Sequence, residues 1–587
     1  MAAMHSPMHF RPLPLIASVC LSICAIGVSQ SVYAQNIASP LPLPLAPVAT
    51  APAQPASTPG TFAAAMAAIR SGRWDAARAE IDAMRDSDLA AFARSELYLA
   101  ANSPRVEGPA LLSLLGSGTD LPQAAQLARL AERRGISSIP ALPSEQRLTW
   151  AGSSPRRGNP RSVDDGAVSG LSRSIQDRIA GDDPAGAEAL LTAAQDRLSS
   201  DAMTEYRYRV AWSYYIENDD ANARRVASSA QAGTGPWLAQ ADWAYGLASW
   251  RAGDCRAAMA GFRNVAGRAN ESELEASGHF WFARSATACG EPQEAQPAYR
   301  RAAALTETFY GQLAAEMLDM RRSAERSAPS DTSRVVNLRN VRAATALVAI
   351  GENALADETL RHQARIGAPS DHAALLVIAA QLNLPETQLF LAHNAPGGAR
   401  QSLSARFPAP QWAPSTGWHI NPALVFAHTL QESQFRARVV SPAGAVGLMQ
   451  VRPGTAGDMG GGRLTDPETN LALGQSYIEY LRDGGVTGGL LPKVIAAYNA
   501  GPTPVARWNS EIRDGGDPLL YIESIPYWET RAYVGTVLRN LWIYEQQLGA
   551  MSDTRATLAG GQWPRVPIAP PSANRMASTR SPSGGNR

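Results

Sequence analysis

The sequence predicts a mainly α-helical protein: an α-solenoid of helical hairpins followed by a compact domain rich in glycine and aromatic residues. Three observations carry this expectation. Between about 61 and 400 the chain repeats a pattern of helix, glycine turn and helix. From about 410 that alanine-rich pattern breaks at Trp412, Trp418 and Pro422. The length of 587 residues is too great for one hydrophobic core, and a repeat array plus a further domain accommodates it.

Taken in order, the first 34 residues read as an export signal. His5 and Arg11 precede the apolar stretch "LPLIASVCLSICAIGV", and "SVYAQ" places a small residue, Ala34, before a cleavage point at Gln35. The stretch is diluted by Ser and Cys and falls short of the roughly 20 apolar residues that span a bilayer. No stable membrane span is therefore expected after cleavage. Residues 35–60, "QNIASPLPLPLAPVATAPAQPASTPG", are a Pro/Ala-rich linker, extended and semi-rigid. The helical repeats follow over 61–405. "AAIRSGRWDAARAEIDAM" turns at Gly72, "YGLASWRAGDCRAAMAGF" at Gly253, "FARSATACGEPQEAQPAYRRA" at Gly290 and "ALVAIGENALADETL" at Gly351. Small residues recur where paired helices must approach closely. Degenerate repeats of this kind predict a superhelix of tetratricopeptide character, which offers an extended curved surface. A compact domain is expected over 406–550, and a disordered Pro/Ser/Gly/Arg tail over 551–587.

Composition narrows the chemistry. Hydrophobic residues make up 45% and charged residues 18%, with a net charge of +1. No global basic field points to nucleic acid. The eight His form no ligand-spaced cluster and no phosphate-loop context is present, so neither a metal nor a cofactor is expected. After signal removal only Cys255 and Cys289 remain. They form either one disulfide or two buried thiols, because sequence does not supply their separation.

Glu432 is the carboxylate of interest. "NPALVFAHTLQES" starts with Asn421 as a helix cap and Pro422 at the first helical position. Leu424 to Ala427 and Leu430 make the helix apolar on most sides, which predicts burial. Glu432 then stands at the helix C-terminus, where desolvation and the negative dipole end both raise a carboxyl pKa, as a general acid near neutrality requires. Nearby segments add Gly444 and Gly447, where a backbone can approach a ligand closely, and the bifunctional amide of Gln450. "IAAYNAGPTPVARW" adds Tyr498 and Asn499, and "ESIPYWETRAYV" adds Tyr527, Trp528 and Glu529. Aromatic faces beside polar groups suit an oligosaccharide groove. Trp508 and Tyr533 read as core residues with a polar handle.

Five words appear in order: "QES" (431–433), "SPAGAVGLMQ" (441–450), "DPETN" (466–470), "AAYNAGP" (496–502) and "ESIPYWETRAYV" (523–534). With them the region 421–545 resembles the lysozyme-like catalytic domain of the soluble lytic transglycosylases. The preceding helices, including "TFYGQLAAE" (308–316), resemble the ring-forming superhelix of the large periplasmic members. The resemblance implies peptidoglycan glycan strands as the substrate. It implies non-hydrolytic cleavage of the β-1,4 bond between N-acetylmuramic acid and N-acetylglucosamine, leaving 1,6-anhydromuramic ends. It makes Glu432 the catalytic acid. It assigns Ser433, Gln450 and Tyr498 to the lining of the site, and Thr455, Asn499 and Glu529 to substrate holding. "DPETN" needs only a structural role, with Asp466 as a helix cap. Arg452 and Leu430 depart from the family's usual apolar and basic residues at those positions.

Most glycosidases flank the bond with two carboxylates. Here one suffices if Glu432 first protonates the leaving oxygen and then, as a base, activates the muramic C6 hydroxyl, with the 2-acetamido group stabilising the cationic carbon. Two alternatives stand beside this. A muramidase on the same fold needs a second acid, with Asp466, Glu523 or Glu529 as candidates. A non-catalytic peptidoglycan-binding scaffold needs none.

Overall fold

Helical hairpins with glycine turns form where the repeat pattern places them. The computed structural model describes residues 59–166, 169–320, 331–571 and 573, so the signal segment 1–34 and nearly all of the linker 35–60 lie outside the described residues. The helices Leu238–Arg251, Cys255–Arg268, Ser272–Ala288 and Pro292–Ala304 follow one another in antiparallel pairs. Gly253 and Gly290, at the turns, take φ of 77° and 76°, a left-handed conformation that glycine adopts without the Cβ penalty. Asp254 then caps the next helix by accepting the Ala257 N–H at 3.0 Å. Cys255 and Cys289 are joined in a disulfide with Cα atoms 5.5 Å apart, which ties the start of one helix to the end of the next.

The buried side chains fall into two clusters that do not follow chain order. The first comprises residues from Phe62 to Ala131 together with residues from Val335 to Ala405. The second joins Ile175 to Ala315 with the C-terminal domain through Val566. A short antiparallel ribbon, Leu148–Trp150 against Asn394–Pro396, closes the first group, with Thr149 opposite Ala395.

The middle helices seat the C-terminal domain directly. Phe309 stacks on Trp542 at 5.3 Å, and the Tyr215 and Ser524 hydroxyls lie 2.6 Å apart. Arg157 pairs with Glu523 at 2.6 Å and Arg284 with Asp517 at 2.7 Å. Glu523 is 2% exposed and also accepts from the Tyr310 hydroxyl at 2.7 Å. A buried carboxylate held by a guanidinium and a phenol is a structural pin between the two parts of the chain.

The expectation of a disordered tail from 551 is corrected over its described part. Asp553–Ala559 is a helix capped by Ser552, and Arg555 pairs with Glu316 at 2.7 Å. Beyond it the strand-like segment accepts the Asn421 N–H at Pro567 O (3.0 Å) and the Leu491 N–H at Pro564 O (2.8 Å), while the Ala569 N–H donates to His419 O at 2.8 Å. Backbone hydrogen bonds to two helix starts hold this stretch, and they leave no mark in amino-acid composition. Among the described residues, no helix is long and apolar enough to cross a membrane.

Candidate active site

The Pro422–Glu432 helix carries the acid. Asn421 Oδ1 accepts the Ala423 N–H at 2.9 Å, and Ala423 to Thr429 are all buried. The chain then turns sharply: Gln434 and Phe435 both take positive φ, 54° and 61°. A left-handed bulky Phe is strained backbone, tolerated here because its ring is packed in the core, 1% exposed. The turn leaves Glu432 at the helix end, half-buried, with its carboxyl aimed at the Trp528–Gln547 helix.

There Tyr533 donates its hydroxyl proton to Glu432 Oε1 at 2.5 Å. Its oxygen lies 2.9 Å from Nδ1 of His428, one turn before Glu432 on the same helix. Because Tyr533 donates to the acid, its oxygen accepts from His428 Nδ1–H, which fixes the imidazole as the neutral Nδ1–H tautomer. Burial pushes the His428 pKa down to about 3, in keeping with that neutrality. Burial pushes the Glu432 pKa up to about 7; the Tyr533 hydrogen bond opposes the rise and the charge of Glu529 adds to it. Tyr498 packs its ring 4.5 Å from His428 and donates to Met449 O at 2.8 Å. The Glu432 charge helps to hold the Tyr498 phenol well above its ordinary value, after burial itself.

The 441–450 segment is fastened around this group from below. Asn470, fully buried, accepts the Met449 N–H at 2.8 Å and donates to Val446 O and Leu464 O at 3.0 and 2.8 Å. Gly447 has φ of 80°, and a Cβ there would lie 2.4 Å from Leu464 O and 2.5 Å from Asn470 Nδ2. The close approach that this glycine permits is therefore to the protein's own Asn470 rather than to a ligand. Asp466 caps the Pro467–Asp483 helix through Thr469, accepting its N–H at 2.9 Å.

The expected site residues are not all placed alike. Glu432 and Tyr498 meet around His428. Ser433 is buried, and its hydroxyl is committed to Leu448 O at 2.7 Å and Thr429 O at 3.2 Å, joining the acid's helix end to the 441–450 segment. Gln450, at φ of 50°, folds its Nε2 onto Gly447 O at 2.9 Å. Asn499 Oδ1 accepts the Thr530 hydroxyl at 2.6 Å, which ties it to the first turn of the Tyr533 helix. Glu529 lies exposed in that same turn, and Thr455 sits half-buried in the short Pro453–Asp458 helix. Arg452 is exposed. Tyr527 and Trp528 are 46% and 56% exposed, as a stacking surface requires, whereas Trp508 is fully buried. Tyr533 and His428 are the residues that sequence reading missed. Tyr533 is buried, as its core assignment implied, but its hydroxyl contacts the acid. A histidine in an otherwise apolar helix, four residues before Glu432, was the available signal.

Comparisons with known proteins agree on this region. Residues 412–518 match the family described as the transglycosylase SLT domain. The chain is 35% identical over 161 residues to the soluble lytic murein transglycosylase of Escherichia coli K12, covering 26% of this chain and 24% of that protein. The chain thus spans about a quarter of the length of the soluble relatives that it matches. A second relative is the endo-type membrane-bound lytic murein transglycosylase A of Klebsiella pneumoniae, 33% identical over 168 residues, covering 24% of this chain and 83% of that protein. Among solved structures, the 70 kDa soluble lytic transglycosylase of Escherichia coli superposes with a TM-score of 0.52 at 19% identity, over 86% of this chain and 99% of that one. A 70 kDa soluble lytic transglycosylase in complex with bulgecin A gives a TM-score of 0.54 at 22% identity, over 88% and 84%. These likenesses carry the fold: a helical superhelix followed by a lysozyme-like domain. With a relative 33% identical and covered over 83% of its length, the chain belongs to the lytic murein transglycosylase family.

Proposed function

We propose that this protein is an exported, periplasmic lytic transglycosylase. In this reading it cleaves the β-1,4 bond between N-acetylmuramic acid and N-acetylglucosamine in peptidoglycan strands and leaves 1,6-anhydromuramic ends. Residues 61–405 form the superhelix and 406–550 the catalytic domain. One observation carries the reading: a single half-buried carboxyl whose pKa is pushed up to about 7, hydrogen-bonded by a buried phenol. Such a group is protonated in a large fraction of molecules near neutrality, so Glu432 donates to the glycosidic oxygen. The resulting carboxylate is re-stabilised by Tyr533 and takes the proton of the muramic C6 hydroxyl as that oxygen closes onto C1. The substrate supplies the nucleophile, so no second carboxylate is needed. Ser433 and Asn470 hold the acid's surroundings, and exposed Tyr527 and Trp528 offer sugar faces a stacking surface.

The hydrolase alternative narrows to one partner. Glu523 is held by Arg157 and Tyr310, and Asp466 is engaged as a helix cap. Glu529 remains, and its charge is felt at Glu432. Mass spectrometry of muropeptides released from purified sacculi separates the readings, with Glu432→Gln run in parallel. Anhydro ends from the wild type alone are expected. Reducing ends would make the protein a muramidase and Glu529 the second acid. Equal release by both proteins would remove Glu432 from the mechanism, and release by neither would leave a binding scaffold.

A further inference from the structure

His428 stands on the acid's own helix, fully buried, and its ring finds a polar partner on one side only. Nδ1 lies 2.9 Å from the Tyr533 oxygen, whereas Nε2 is buried without a hydrogen-bond partner. The Tyr498 ring packs 4.5 Å from the imidazole, but its hydroxyl is committed to Met449 O at 2.8 Å. An apolar side chain would fill this place without leaving a polar atom unmatched. What the imidazole adds is therefore the contact at Nδ1.

His428, Tyr533 and Glu432 form a relay of two hydrogen bonds, 2.9 and 2.5 Å long, whose protons run in one of two directions. Running toward the acid, Nδ1–H donates to Tyr533 and Tyr533 donates to Glu432 Oε1. Running away from it, a protonated Oε1 donates to Tyr533 and Tyr533 donates to a bare Nδ1. The second direction needs the Nε2–H tautomer, which buries a donor with no acceptor. It also exists only while Glu432 is protonated, because once the carboxyl ionises one of the two contacts is left without a proton. The first direction holds in both charge states of the acid. With Oε1 always accepting, the acidic proton resides on Oε2. Among the described residues no group hydrogen-bonds Oε2, and it is not one of the buried unpartnered atoms, so it is open to an incoming ligand.

We infer that His428 is a positioning residue: as an Nδ1–H donor it fixes the direction of the Tyr533 hydroxyl, which confines the proton of Glu432 to Oε2, the oxygen left open. The direction of the relay stands on geometry, and its consequence for turnover rests on the reading of Glu432 as the acid. Without the imidazole the phenol oxygen is free to accept from Oε1–H, so part of the acid's protons is turned inward and lost to the glycosidic oxygen. That arrangement stabilises the neutral carboxyl, and an unpolarised phenol is a poorer donor to the carboxylate, so both effects raise the acid's pKa. The other titratable groups that face Glu432 are Glu529 from the Trp528–Gln547 helix and Tyr498 from the Leu491–Ala500 helix, and both stay in place. His428 itself is neutral, its pKa pushed down to about 3 by burial, so its own titration does not enter.

Three substitutions in the full chain test this. His428→Leu keeps apolar bulk and removes both nitrogens. His428→Asn restores an N–H donor near the place of Nδ1, and His428→Gln carries its amide toward the place of Nε2 instead. Infrared titration of the Glu432 carboxyl, read as the difference from Glu432→Gln, needs no substrate. His428→Leu and His428→Gln should titrate about half a unit or more above wild type, and His428→Asn should return toward it. On soluble glycan strands kcat should fall about tenfold or more in His428→Leu with KM unchanged, and recover in His428→Asn. In wild type, proton–nitrogen NMR of labelled histidine should find the imidazole signal that these variants lack to be protonated at Nδ1. A proton at Nε2 overturns the inference. So does an unmoved or lowered carboxyl titration in His428→Leu, or a His428→Asn protein as impaired as His428→Leu. A wild type that releases no anhydro ends would defeat the reading of the reaction instead, and the carboxyl titration would still decide the direction of the relay.

Discussion

Replacing Tyr533 by Phe removes one oxygen and separates the two roles given to that residue. The hydroxyl donates to the charged form of Glu432 at 2.5 Å, so it stabilises the carboxylate and opposes the rise caused by burial. A hydrogen bond to a charged group is worth about 1.5–3 kcal/mol net, and one pH unit is worth 1.36 kcal/mol. Loss of the phenol should therefore move the acid upward from about 7 by about one to two pH units. In the proposed mechanism Glu432 acts first as an acid, so turnover should fall on the alkaline side as it deprotonates. The assay is the pH dependence of kcat/KM on soluble glycan strands, where the alkaline limb should shift upward by about one to two units while the maximal rate drops. The same substitution orphans the buried His428 Nδ1–H, which should cost about 1–3 kcal/mol of stability in thermal or denaturant unfolding. An alkaline limb that stays put or moves down would refute the assignment of Glu432 as the titrating acid, or of Tyr533 as its donor.

Other perturbations have equally definite signs. The Glu432 pKa is raised from 4.5 in the unfolded chain to about 7 in the fold. Its contribution to stability is thus fully present below the unfolded value and is lost as pH rises through the folded one, a loss on the order of 3 kcal/mol. Glu432→Gln should accordingly melt higher than wild type at pH 8 and nearly equal to it at pH 4; a variant less stable at pH 8 contradicts this. Asn470→Ala should lower stability by about 2–4 kcal/mol, because it leaves the Met449 N–H and two carbonyls unmatched. It should also loosen the 441–450 turn and reduce kcat, and a stable, fully active variant would show that the turn holds itself. Cys255→Ser opens a loop with a sequence separation of 34, for which chain entropy predicts a loss of about 3–4 kcal/mol. Thermal unfolding with and without reductant checks it, since reductant should destabilise the wild type and leave the variant unchanged.

The sequence by itself determined the helical class, because glycine turns at Gly72, Gly253, Gly290 and Gly351 and the intervening small residues are local signals. It singled out Glu432 as a half-buried carboxyl, because a capped, apolar helix that ends in a carboxylate predicts burial at a helix C-terminus, and only the resemblance to the soluble lytic transglycosylases made that residue the expected acid. It did not reveal that the described part of the tail is ordered, since Pro564 and Pro567 are held by backbone hydrogen bonds from Leu491 and Asn421 that no side chain advertises. It also misread Gly447, whose missing Cβ makes room for Asn470.

Tertiary structure alone decided the partners of the acid. Tyr533 stands 101 residues from Glu432, and a tyrosine that packs in a core is indistinguishable in sequence from one that aims its hydroxyl at a carboxyl. The same holds for Glu523, a candidate second acid until Arg157, 366 residues away, is found holding it. Propensity and periodicity are properties of neighbours along the chain, whereas proton affinity is set by whatever the fold brings within a few ångströms.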